Sequence, residues 1–242
     1  MAAITISIWG RNNCGKTVLA LNLAAYLAQN HNKLVGLVSA ADYAELPAYL
    51  NLTFPAGKGM KAAKDAAVDH IKNFYVEADK TISGLYLLSP APNGDAFDLA
   101  DFDKAMGRRI IQESQEVFDV VVVDCTTDKK NAVTGEAIAL SDAVVIPVDD
   151  NVGYPQWFSS NSRLFDTIKR KTFFVESKFN ANTNMQAIFA SMGIKQPTAS
   201  IQYMKNAAPA TNEGIYLFRG GKENKIYERS LSSLWEAIRN GR

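Results

Sequence analysis

The sequence predicts an α/β protein with a doubly wound, mostly parallel sheet, and three observations predict it. Short apolar runs alternate with helix-length segments, the order expected of a sheet covered by helices on both faces. Several runs lack polar alternation, Val120–Val123 above all, which suits strands buried on both sides. The first run enters a glycine-bounded turn, and a helix-forming run leaves it.

Taken in order, strands are predicted at Ile4–Trp9, Leu34–Val38, Gly84–Leu88, Asp119–Asp124, Ala143–Val148, Thr172–Val175 and Ser200–Tyr203. Helices are predicted at Lys16–Gln29, Lys58–Val76, Leu99–Val117, Ala132–Leu140, Gln156–Lys169 and Met185–Met192. Residues Ala56–Ser83 add an extra helix and turn between the second and third strands. Pro55–Gly59 and Pro90–Asp95 read as loops. In Ile226–Ile238, the residues Tyr227, Leu231, Leu234, Trp235 and Ile238 share one helical face. That face predicts a terminal helix packed on the sheet. The alternative is a membrane or partner helix, since Lys222, Lys225, Arg229 and Arg239 lie nearby.

At 242 residues the chain suits one α/β domain spanning 1–242. Its net charge of +1 gives no global push toward nucleic acid or an acidic membrane. The two cysteines, Cys14 and Cys125, lack disulfide or zinc spacing, which points to a reducing compartment. His31 and His70 flank nothing that resembles a metal site. No apolar run reaches transmembrane length and no secretory signal is visible. The expected location is the cytoplasm.

Gly10, Arg11, Asn12, Asn13, Cys14, Gly15, Lys16 and Thr17 satisfy G-x-x-x-x-G-K-[ST], and Val18 follows. Glycines let the backbone turn tightly, so that N–H groups point at phosphate oxygens. The helix N-terminus adds partial positive charge at the same place. Lys16 is expected on the β- and γ-phosphates of ATP, and the Thr17 hydroxyl on Mg²⁺. Phe118–Asp124 is an apolar strand ending in a carboxylate, which places Asp124 as the second Mg²⁺ residue. Cys14 and Cys125 flank these groups. They read as small residues filling a tight site, with a redox switch as the alternative.

On these residues the chain resembles the ParA/MinD ATPases, the deviant Walker A group of P-loop NTPases. That group carries a lysine after the first glycine, where Arg11 stands here. The resemblance implies that Arg11 reaches the partner subunit's nucleotide across an ATP-sandwich homodimer. Ala139–Val148 resembles the family's following helix end and strand, and Asn212–Leu217 a late Asn-x-Gly-x-x-Leu segment. The layout around Leu85–Asp124 is most similar to the MinD-like CpaE and TadZ proteins of pilus assembly and polar localisation.

The chain also departs from the family. The second strand of the family usually ends Asp-x-Asp, whereas Ser39 and Ala41 stand at those places and Asp42 lies one residue late. Either the loop shifts to bring Asp42 in as the catalytic carboxylate beside Lys16 and Asp124, or that carboxylate is missing. Asn12 and Asn13 replace two loop glycines, and asparagine tolerates left-handed backbone. Thr126, Thr127 and Asp128 stand where the family has Pro and Gly. Ser177, with Lys178 beside it, replaces an adenine-contacting Asn, and Gln202 a proline. These departures imply a weak ATPase with phosphate and Mg²⁺ binding intact.

The resemblance implies an ATP-dependent dimerisation switch that binds a protein partner, with non-specific DNA as a further candidate and a membrane surface a weaker one. The alternative is a non-hydrolysing localisation scaffold, TadZ-like, which Ser39 and Ala41 favour. A metabolic enzyme ranks last, since no substrate motif accompanies the loop. The basic groups Lys58, Lys61 and Lys64, Arg108 and Arg109, and Lys169, Arg170 and Lys171 would give salt-sensitive DNA binding if they converged.

Overall fold

The computed structural model describes residues 2–66, 69–179, 184–202, 204 and 207–241. The strands are β1 (Ile4–Ile8), β2 (Val35–Ser39), β3 (Val76–Glu77), β4 (Leu85–Leu88), β5 (Val120–Asp124), β6 (Ala143–Val148), β7 (Thr172–Phe179) and β8 (Ala199–Gln202). The helices are α1 (Lys16–His31), α2 (Glu45–Tyr49), α3 (Met60–Asp65), α4 (Lys104–Val117), α5 (Ala132–Leu140), α6 (Tyr154–Ser160), α7 (Ser162–Ile168), α8 (Met185–Ser191), α9 (Ala207–Asn212) and α10 (Lys222–Asn240).

The strands form one sheet in the order β3-β4-β2-β5-β1-β6-β7-β8. The β3–β4 pair is antiparallel, and the other pairs are parallel. Alternation along each strand feeds two hydrophobic layers. Ile6, Ile8, Val120, Val122 and Val145 pack with α1 and α10 on one face. Val121, Val123, Val144 and Ile146 pack with α4, α5 and α7 on the other. Val120–Val123 are fully buried, as their unbroken apolar run requires.

In α10, Tyr227, Leu231, Leu234, Trp235 and Ile238 are all buried and join the α1-side core. The apolar face is therefore inside the protein, and the reading of this segment as a membrane or partner helix is corrected.

Other differences have tertiary causes. The single helix expected over Lys58–Val76 is replaced by α3, a 3-10 turn at Ile71–Phe74 and the edge strand β3; 67–68 lie outside the described residues. Arg109 donates to the Ala63 and Asp69 carbonyls, and Ile71 N–H donates to Glu113 at 2.8 Å. Those long-range bonds satisfy backbone groups that a continuous helix would pair internally, so tertiary contacts override helix propensity.

The helix expected from Leu99 starts at Lys104, because Asp103 caps it by accepting from Met106 N–H at 2.8 Å. The segment Gln156–Lys169 is two helices meeting at Asn161, whose side chain donates to the Trp157 carbonyl at 2.8 Å. The short helices α2 and α9 were not anticipated. Tyr203, the predicted end of the last strand, lies outside the described residues.

Candidate nucleotide site

The phosphate-binding loop leaves the centre of the sheet between β1 and α1. β1 lies beside β5 with Ile8 opposite Asp124, and Ser39 of β2 also pairs with Asp124. Three chain segments therefore end at one point on the carboxyl edge of the sheet, where ligands bind in open α/β folds.

Local chemistry explains the loop's turn. A Cβ on Gly10 would meet Cys14 Sγ and Tyr154 Oη at 3.1 Å, so a side chain there would push both neighbours by a few tenths of an ångström. Gly15, with φ 91°, and Asn13, with φ 63°, occupy the left-handed region, the conformation asparagine tolerates best after glycine. Buried Cys14 donates from Sγ to the Arg11 carbonyl at 3.0 Å. Ser177 Oγ donates to the Cys14 carbonyl at 2.8 Å. Tyr154, buried, donates its hydroxyl to the Pro147 carbonyl beside the loop.

Lys16 Nζ donates to the Arg11 carbonyl at 2.7 Å and to Thr127 Oγ1 at 3.3 Å. Thr127 in turn donates to Asn12 Oδ1 at 2.6 Å. A clasp thus joins the loop to the segment after β5.

Beside it opens a cavity of about 480 Å³. Asn12, Asn13 and Gly15–Val18 form one wall, Asp124–Thr127 a second, and Ala41, Asp42, Tyr43, Glu45 and Tyr49 a third. Asp124 is buried, and its Oδ1 has no hydrogen-bond partner among the described residues. Burial pushes its carboxyl up to about 7, opposed by the Thr17 hydroxyl and the Lys16 charge and reinforced by Glu45. Burial also pushes the Cys125 thiol up to about 12. A thiol held protonated is a poor nucleophile, which disfavours the redox alternative at Cys125.

Lys16, Thr17, Val18, Asn12, Asn13, Gly15, Asp42 and Asp124, the residues expected at the nucleotide, all line this one cavity. Gly10, Arg11 and Cys14 of the same loop do not line it. Ser39 is buried and accepts from Ala41 N–H at 3.3 Å, so its hydroxyl serves the turn after β2. Sequence reading missed Glu45, Tyr43 and Tyr49. Tyr49 and Tyr43 donate to the Glu45 carboxylate at 3.0 and 3.3 Å. Burial first, then Glu45, pushes the Tyr49 hydroxyl up to about 12.

No family model matches this chain, and no curated protein matches it by sequence. Solved structures do match. A plasmid partition protein from Borrelia burgdorferi B31 bound to AMPPNP superposes with a TM-score of 0.77 at 17% identity, covering 97% of this chain and 99% of that one. The septum site-determining protein MinD of Pyrococcus horikoshii, complexed with Mg-ADP, gives 0.78 at 15% identity over 98% and 96% of the two chains. The Aquifex aeolicus MinC:MinD cell division complex gives 0.77 at 16% identity over 98% and 96%.

The chain has the fold of the ParA/MinD ATPases. Within that ParA/MinD fold, Arg11 does not line its own cavity. Its guanidinium lies over the Tyr154 ring, 5.8 Å from the centroid. Ser177, which stands in place of the family's adenine-contacting Asn, donates to the Cys14 carbonyl of the loop; the Lys178 side chain lies outside the described residues.

Most of the basic groups are engaged internally. Lys58 holds the Asn73 carbonyl, Lys61 holds Asp98, and Lys64 holds Asp101. Arg108 holds Glu136, Arg109 holds Glu113, and Lys171 holds the Ala139 and Ser141 carbonyls. Among the described residues, no helix is long and apolar enough to cross a membrane.

Proposed function

We propose that this chain is an ATP-binding dimerisation switch, used in the cytoplasm to partition or position DNA or a cellular complex through a protein partner. The observation that carries the reading is the pairing of Thr17 with Asp124 at the mouth of the phosphate loop. The buried Oδ1 of Asp124 has no partner among the described residues, and an unpaired buried carboxylate oxygen is costly unless a cation satisfies it. A hydroxyl and a carboxylate form the oxygen donor set that Mg²⁺ takes, together with phosphates and water.

Thr17 and Asp124 would hold Mg²⁺. When bound, the ion would neutralise charge developing on the phosphate oxygens. Lys16 leaves the Arg11 carbonyl and Thr127 to pair with the β- and γ-phosphates. Loop N–H groups orient the phosphate chain. Arg11, turned off its own cavity, is free to meet a second copy's nucleotide. Hydrolysis is slow, because Ser39 and Ala41 supply no carboxylate at the end of β2.

The neighbours support the partitioning and positioning role: one is a plasmid partition protein bound to AMPPNP and another a MinC:MinD complex. The test is solution mass by light scattering in Mg-ADP and in Mg-ATP, with and without DNA. A monomer in ADP and a dimer in ATP are expected. A monomer in both rejects the switch. A dimer whose ATP is recovered intact after prolonged incubation favours the second reading, a non-hydrolysing localisation scaffold, which the absence of acid at Ser39 and Ala41 supports.

A further inference from the structure

We infer that Glu45 is the carboxylate that orients the attacking water when ATP is hydrolysed in this cavity; the inference rests on the switch reading above. Hydrolysis needs a group that fixes a water in line with the γ-phosphate. That group must be held to within a fraction of an ångström. Three residues at or beyond the end of β2 could be asked to do this. Ser39 is buried and occupied by the turn. Asp42 lies on the cavity wall but is exposed, and no described hydrogen bond fixes its carboxylate.

Glu45 is different. It opens α2, whose next two residues, Leu46 and Pro47, are buried and anchor the helix. Tyr49 donates to its Oε1 at 3.0 Å and Tyr43 to its Oε2 at 3.3 Å. Both oxygens are thereby oriented, and each keeps lone-pair capacity for a water. Glu45 and Asp124 line the same cavity.

The step balances without a further reactant. The water oxygen forms a bond to the γ-phosphorus while the bridging P–O bond to ADP breaks, and that electron pair stays on the β-phosphate oxygen. Glu45 accepts one water proton and passes it to the released phosphate or to solvent, returning ionised. Tyr43 and Tyr49 are positioning residues.

The test uses the full chain and measures two quantities. Mg-ATP binding is followed with a fluorescent analogue, and turnover by single-turnover release of labelled phosphate. Glu45→Gln keeps the shape of the side chain and a carbonyl acceptor. It is expected to bind Mg-ATP and dimerise as wild type does, yet to lose turnover by about 100-fold, the usual loss of a general base. Tyr49→Phe is expected to lower kcat several-fold with KM and the stoichiometry of nucleotide binding unchanged, whereas a loss of folded protein would lower the stoichiometry in step with kcat. Glu45→Gln turning over at the wild-type rate overturns the assignment. So does a wild type that binds Mg-ATP and never turns it over, and so does Asp42→Asn abolishing turnover where Glu45→Gln does not. A wild type that fails to bind Mg-ATP overturns the switch reading, and the role of Glu45 with it.

Discussion

Lys16 spends its ammonium on its own loop, on the Arg11 carbonyl and on Thr127. Phosphate oxygens are stronger acceptors for that charge than a carbonyl and a hydroxyl. Lys16→Ala is therefore expected to weaken binding of a fluorescent ATP analogue at least about tenfold, the effect of losing one hydrogen bond to a charged group. Unchanged affinity in a folded variant would remove Lys16 from the phosphate site. His31 shows a different balance. It ends α1, where the helix dipole favours a cation, yet its pKa lies below the ordinary 6.5. Burial is the larger cause, followed by Arg239 and Lys33, with Glu236 opposing. The unfolded chain then binds the proton more readily than the folded one. The stability contributed by neutral His31 is full above pH 6.5 and is lost as pH falls from there through the lowered folded-state pKa. His31→Gln should flatten the fall of Tm between about pH 7 and about pH 5. An unaltered slope would assign the acid sensitivity to other groups.

Elements meet more closely in this fold than periodicity can reveal. Gly107 sits in α4 where α5 begins, and a Cβ there would lie 2.4 Å from the Ala132 carbonyl oxygen. Backbone cannot swing aside as a side chain can. Alanine improves helix propensity by about 1 kcal/mol, while overpacking costs about 1–3 kcal/mol, and at this distance the clash wins. Gly107→Ala should lower the urea midpoint, and an equal or higher midpoint would contradict the close approach. The same junction bears on the site. Asn131 caps α5 by accepting from Thr134 N–H at 3.0 Å, and its side-chain nitrogen donates to the Ala40 carbonyl at 3.1 Å. The start of α5 is thereby fastened to the end of β2, beside the cavity. Asp103 and Asn131 are cap residues that a closer reading of the sequence can find. The end of α3 is not legible in that way, because it depends on Arg109 reaching back to the Ala63 carbonyl.

At the scale of the whole molecule, Arg11 bears on the proposed assembly. Its guanidinium rests over Tyr154 and away from the cavity that Lys16 and Thr17 line. Arg11→Ala is expected to leave ADP affinity nearly unchanged while lowering the dimer fraction in Mg-ATP, read by light scattering. Equal dimer fractions in variant and wild type would end the proposed contact with the partner. The basic groups bear on the same scale. Lys58, Lys61, Lys64, Arg108, Arg109 and Lys171 each hold an intramolecular acceptor, so a DNA-binding face would have to recruit them from those contacts. Any DNA bound by the ATP form is expected to dissociate as salt rises, because counterion release governs such binding; salt-independent binding would point to a different interface.

The phosphate loop was legible because it is local: eight consecutive residues, Gly10 to Thr17, carry their own turn through Gly10, Asn13 and Gly15. The buried strands were legible because a parallel sheet covered on both faces demands unbroken apolar runs such as Val120–Val123. The inward face of α10 followed from its helical period. The tertiary structure alone decided that Glu45 and its two tyrosines wall the cavity, that Ser177 supports Cys14, and that Thr127 clasps Lys16 to Asn12. Thr127 lies 111 residues from Lys16 and Ser177 lies 163 from Cys14. No periodicity encodes contacts of that span, because they exist only once the sheet has brought the ends of β1, β2, β5 and β7 to one edge.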